Sequence, residues 1–189
     1  MKKIVTQKKE DPFITRFTLK IGEWRKLFPE AVYKLMIAKS LNYCVYNEAE
    51  NPDHEFELDI EGYLITRYRV YLQVRIDPLQ VNRMLQFFYE KIREEIRQGF
   101  DKIKRKVTAD NESTILMEAP YLHLFEKHPL ANGMLVRLIT GQEIKLKYHN
   151  PYLERMKDVI HGNNFCSAID YAGGESLVEV TIRNASTKH

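Results

Sequence analysis

Gly62-Tyr63-Leu64-Ile65-Thr66-Arg67-Tyr68-Arg69-Val70-Tyr71-Leu72-Gln73-Val74-Arg75-Ile76 is the stretch on which the fold depends. Its β-branched and aromatic residues favour extended backbone. From Tyr63 to Ile76 it reads as one long strand, ended by Pro78. Side chains of a strand alternate between the two sheet faces. One face is then Leu64, Thr66, Tyr68, Val70, Leu72, Val74 and Ile76, almost wholly apolar. The other is Tyr63, Ile65, Arg67, Arg69, Tyr71, Gln73 and Arg75. Guanidinium groups pair with phosphates, and tyrosine rings stack on bases. A solvated sheet face, with arginine stems lying over apolar surface, accounts for the same pattern.

Upstream, Phe13, Thr15, Phe17, Leu19 and Ile21 alternate with Ile14, Arg16, Thr18 and Lys20, which predicts a strand with one buried face. Pro29-Glu30-Ala31 opens a helix that runs to about Tyr43. Residues 47–54 read as a polar loop. Phe56, Leu58 and Ile60 alternate again until Glu61-Gly62 breaks the run. Downstream, Val81, Met84, Leu85, Phe88, Ile92 and Ile96 recur at spacings of three and four. They predict an amphipathic helix from about Leu79 to Lys106, with a basic outer face diluted by Glu90, Glu94, Glu95 and Asp101.

The later half has weaker signals. Thr114 to Phe125 reads as a strand interrupted by Pro120. Met134–Thr140, Gly141-Gln142 and Glu143–His149 read as a β-hairpin with a Gly-X turn. That hairpin carries Lys145, Lys147 and His149 on one face. Tyr152 to Ile160 is helical in pattern, and Phe165 to Tyr171 reads as a short strand. Leu177 to Arg183 leaves helix and strand both open: its valines favour a strand, while Ser176 suits a helix cap.

Composition bounds the class. The chain has 189 residues and a net charge of +3, with a pI near 8.7. That suits one domain, 1–189, with residues 1–11 as a loose polar arm. The charge alone does not mark a nucleic-acid binder. Two cysteines, Cys44 and Cys166, are too few for a disulfide framework and predict reduced thiols in a cytoplasmic protein. No run reaches the ~18 apolar residues of a membrane span. There is no glycine-rich phosphate loop and no paired-cysteine zinc spacing, so neither a cofactor nor a metal is expected. The one-sided strand and the amphipathic helix must cover each other, which predicts an α+β domain with an antiparallel or mixed sheet and two helices on one face.

The stretch Gly62–Leu72, in the order strand from Phe13, helix from Pro29, strand from Gly62, helix from Leu79, resembles the single-tyrosine transposases of the HUH nuclease class, including the REP-associated ones. The resemblance covers roughly residues 12–105 and, less closely, 165–185. Residues 107–164 would be a divergent or inserted portion. It implies a ferredoxin-like arrangement and a homodimer. It also implies a chemistry in which two histidines two residues apart hold a divalent metal against a DNA phosphate. A tyrosine on a late helix attacks that phosphate.

Here the histidine pair falls on Arg69 and Tyr71, the nucleophile on Thr181, and the further metal ligand on Ala185. His54, His123, His128, His149, His161 and His189 are scattered. Tyr148, Tyr152 and Tyr171 are substitute nucleophiles by residue type only. The expectation is a protein without this catalysis that binds single-stranded or hairpin DNA through Arg67, Arg69, Tyr71, Gln73, Arg75, Lys145 and Lys147. Arginine cannot hold a cation, but it can stand in a cation's place and neutralise a phosphate. Two other readings remain: a nuclease using different ligands, and a protein-interaction module with no nucleic-acid role.

Overall fold

The computed structural model describes residues 11–46, 56–107 and 123–182. The predicted arm lies almost wholly outside them, as does most of the strand predicted from Thr114. The chain forms β1 (Ile14–Ile21), α1 (Glu30–Tyr46), β2 (Asp59–Ile65), β3 (Arg69–Arg75), α2 (Val81–Val107), β4 (Phe125–Pro129), α3 (Gly133–Ile139), α4 (Pro151–His161) and the single turn α5 (Ala168–Tyr171). The four strands make one antiparallel sheet in the order β2-β3-β1-β4. Together with the βαββαβ element order this is the ferredoxin-like arrangement. β4 lies inside the span 107–164 that the resemblance leaves as an insertion.

Alternation decides which face holds the main core. Phe17, Leu19 and Ile21 of β1 and Val70, Leu72 and Val74 of β3 point to one side. There they meet Ile37 and Leu41 of α1 and Met84, Phe88, Ile92 and Ile96 of α2, all buried. The predicted apolar stripe of α2 is therefore the helix's contact with the sheet. Trp24, on a short 3-10 turn after β1, is fully buried and donates its indole N–H to the Leu124 carbonyl at 2.9 Å. This bond ties the end of β1 to the entry of β4.

Four sequence expectations are corrected. The long strand Tyr63–Ile76 is two strands, folded back at Thr66-Arg67-Tyr68. Two-residue hairpin loops usually need left-handed backbone and hence glycine or asparagine. No non-glycine residue here adopts it. Instead, the Arg69 amide donates to the Thr66 hydroxyl at 3.1 Å, and that hydroxyl donates to the Arg69 carbonyl at 3.0 Å. Glu61-Gly62, read as a break, is a bulge within β2.

The predicted hairpin from Met134 is the helix α3. Gly141 has the φ of +68° expected of its glycine, but as the residue that ends a helix. Its amide donates to the Leu138 carbonyl and that of Gln142 to Arg137, the paired bonds of a Schellman motif. Residues 143–149 form no strand.

The fourth correction concerns the sheet's other face, expected to lie open. Leu64 and Tyr71 of that face pack with Leu135, Val136 and Ile139 of α3, Ile160 of α4, and Cys166. Helices therefore cover both faces. The segment 163–167 also lines the outer edge of β2. Ile65 N–H donates to the Phe165 carbonyl, and Ser167 N–H to Tyr63. The buried Ser167 hydroxyl accepts from Tyr63 N–H at 2.8 Å and lies within hydrogen-bond distance of the Ile139 carbonyl at 2.5 Å. Cys44 and Cys166 are both buried and unpaired.

Candidate nucleic-acid interface

The arginine-tyrosine face of β3 divides into two parts with different fates. At the Arg75 end the polar side chains bind one another. Gln73, 6% exposed, accepts from Arg16 Nε at 2.8 Å and donates to Glu61 Oε2 at 2.9 Å. Arg75 pairs with Glu61 at 3.0 Å and with Asp11 at 2.5 Å. The Asp11 and Glu61 carboxylates hold the Arg75 guanidinium charged, raising its pKa above the ordinary value. Gln73 and Arg75 are thus committed to a structural network. They line a cleft of about 540 Å3 with Arg137 and Tyr171.

At the hairpin end the face stays accessible. Arg69 is exposed and has no ion-pair partner among the described residues. Arg67 is exposed on the turn, 3.9 Å from Glu30, with its guanidinium over the Tyr68 ring. Tyr71, half-buried, lines a cleft of about 350 Å3 with Leu64, Thr66, Asn132, Leu135, Tyr152, Arg155, Met156 and Val159. Burial pushes the Tyr71 phenol upward; Arg69 pulls against this and Tyr152 adds to it. The phenol is therefore neutral at physiological pH.

α4 supplies the far wall of this cleft because Asn150 caps its first turn, accepting from the Tyr152 and Leu153 amides, and Pro151 fits the first helical position. With that start fixed, Tyr152, Arg155, Met156 and Val159 recur at spacings of three and four along one helix face. Asn132, which caps α3, donates to the Tyr152 hydroxyl at 2.9 Å. Arg155 is exposed and, like Arg69, has no ion-pair partner among the described residues.

Of the positions assigned by the resemblance, the three that are described are not brought together. Arg69 and Tyr71 share a face. Thr181 lies in non-helical backbone, where its amide donates to the Ile60 carbonyl and its hydroxyl to Asp59 at 3.0 Å. Ile60 pairs with Val74, so Thr181 sits about five residues along the sheet from Arg69, roughly 17 Å at strand rise. Ala185 lies outside the described residues. The tyrosine that does face the Arg69–Tyr71 position from a helix is Tyr152. Sequence reasoning named it by type but had no means to place it. Asn132 and Arg155 were missed; the cap signals at Asn132 and Asn150, spaced to aim two helices at one point, were the available clue.

Lys145 pairs with Glu143 at 3.0 Å and Lys147 is exposed; neither lines the Tyr71 cleft. Among the described residues no three His, Cys, Asp or Glu side chains converge as a metal site would need. None of the described helices is long and apolar enough to cross a membrane. Comparison of the chain with models of protein families, with curated proteins and with solved structures finds no match.

Proposed function

We propose that this protein is a non-catalytic, transposase-like binder of single-stranded or hairpin DNA, and that it contacts DNA at the hairpin end of its sheet. The observation that carries this reading is a pair of cations without an ion-pair partner among the described residues: Arg155 lines the cleft of Tyr71 and Tyr152, and Arg69 lies beside Tyr71 on the same face of β3. Unneutralised guanidinium groups beside aromatic rings suit a phosphate backbone with exposed bases. The reading narrows the sequence-derived surface: Arg67, Arg69 and Tyr71 stay in it, while Gln73 and Arg75 serve the fold. The absence of transposase catalysis rests on Arg69 and Tyr71 standing where the histidine pair would be. A homodimer belongs to the same reading on the resemblance alone.

The test is binding of labelled single-stranded and hairpin oligonucleotides by fluorescence anisotropy between 50 and 200 mM salt, approximate limits chosen for the steepness of counterion release. Arg69→Gln with Arg155→Gln should weaken binding about ten-fold or more. It should also flatten the log-log salt slope by about 1.4, two single-strand phosphate contacts' worth. Equal binding by wild type and double variant overturns the assignment. A second reading, a protein-interaction module, is favoured by the apolar cleft wall and the exposed Tyr148, Tyr152 and Val159. Failure of any oligonucleotide to bind at low salt would support it.

A further inference from the structure

We propose that the cleft between the β2–β3 hairpin and α4 receives one unstacked nucleobase, so that the protein selects unpaired nucleotides over paired ones. This deepens the DNA-binding reading and rests on it. The cleft has the chemistry of a flat heterocycle with a polar edge. Tyr71 and Tyr152 line it, together with the apolar Leu64, Leu135, Met156 and Val159.

Two hydroxyl groups serve the polar edge. The Tyr71 hydroxyl has no hydrogen-bond partner among the described residues, and it keeps its proton because burial raises its pKa. The Tyr152 hydroxyl accepts from Asn132 and so keeps its own proton to donate. A base carries acceptors on its pairing edge, and only an unpaired base leaves them free to meet these donors. Arg155 in the lining and Arg69 beside Tyr71 give the strand that carries the base a place for its phosphates. Charge complementarity therefore favours a nucleic acid over an apolar peptide side chain, which would leave both guanidinium groups and both hydroxyls unmatched.

Binding of an oligo-dT strand is compared with that of an abasic strand of the same length, so that phosphates are held constant. Wild type should bind oligo-dT about ten-fold more tightly or better, the effect expected of base–aromatic stacking. Tyr152→Ala, and separately Val159→Trp to fill the cleft, should reduce oligo-dT affinity to the abasic level and leave abasic binding and the salt slope unchanged. Tyr152 and Val159 are 56% and 52% exposed, so neither change removes a core residue, and unaltered thermal unfolding verifies this. Equal affinity for oligo-dT and abasic strands overturns the base site while the Arg69–Arg155 contact stands. It would leave the cleft to an apolar peptide side chain. Binding of neither strand overturns both.

Discussion

Replacing Ser167 by alanine tests whether the C-terminal layer is fastened to the sheet as described. The Ser167 hydroxyl is fully buried and meets the Tyr63 amide, the Ile139 carbonyl and the Tyr63 carbonyl, of which the first two lose a partner when it is removed and the third keeps the residue 167 amide. Alanine keeps the backbone bond from residue 167 to the Tyr63 carbonyl and suits the helical backbone there, with φ of −65°. The change therefore isolates the hydroxyl. A buried polar group left unpaired costs about 1–3 kcal/mol. Two such groups, partly relieved by relaxation, give a loss of about 2–4 kcal/mol. At this chain length that lowers Tm by about 4–16 °C. Urea denaturation should show a lower midpoint with an unchanged slope. Ser176→Ala is the comparison: in a half-buried position the Ser176 hydroxyl donates to the Val178 carbonyl and neighbours the Tyr63 phenol, which has the Val178 amide besides; its cost should stay near 1 kcal/mol or below. A Ser167→Ala loss under about 0.5 kcal/mol would refute the fastening.

Three further outcomes follow from the packing. Gly22→Ala places a Cβ 2.0 Å from the His123 carbonyl oxygen, so β1 must part from the entry of β4; a loss of about 2–4 kcal/mol is expected, read from the emission of Trp24, the sole tryptophan. Thr66→Val removes both side-chain bonds of the β2–β3 turn and should cost about 1 kcal/mol by thermal unfolding; no change would mean that the turn does not need its clamp. Burial pushes the Tyr63 phenol up to about 12, so above pH ~10 the unfolded chain loses that proton first. Its contribution is complete below pH ~10 and is lost as pH rises towards 12, a fall of roughly 2–3 kcal/mol, to which the buried Cys166 thiol, raised to about 11, adds in the same sense. Urea midpoints from pH 8 to 11.5, approximate limits spanning that window, should fall less for Tyr63→Phe than for wild type, and parallel curves would argue against the assignment.

Where periodicity is long, the sequence was readable. α2 presents its apolar stripe over about four turns of three-and-four spacing, and α4 is bracketed by Asn150-Pro151 and Gly162; both were found within a residue or two of their ends. Phe17, Leu19 and Ile21 likewise declared the buried face of β1. The failures have local causes. The β2–β3 turn is made by a threonine side chain, so no glycine or asparagine announces it. Gly141 marks a left-handed residue correctly, but the same conformation ends helices and closes hairpins, and Leu135, Val136 and Ile139 suit either. The open face of β3 was misjudged because alternation says which residues share a face, not what lies across from them. Arg69 and Tyr71 could be named from the strand; Tyr152 and Arg155, some eighty residues on, required the position of α4.

The fastening of β2 also bears on how the chain is made. Its outer edge is satisfied by residue 167, whose bond to Tyr63 spans 104 positions. At about 5–20 residues per second of synthesis, that edge waits roughly 5–20 s for its cover. During this interval a strand with Tyr63, Leu64 and Ile65 presents unpaired backbone groups, the template on which neighbouring chains join. The late segment therefore completes the sheet and also limits how long the newborn protein can associate wrongly, which makes crowded, rapid expression the condition under which changes at Ser167 should be most damaging.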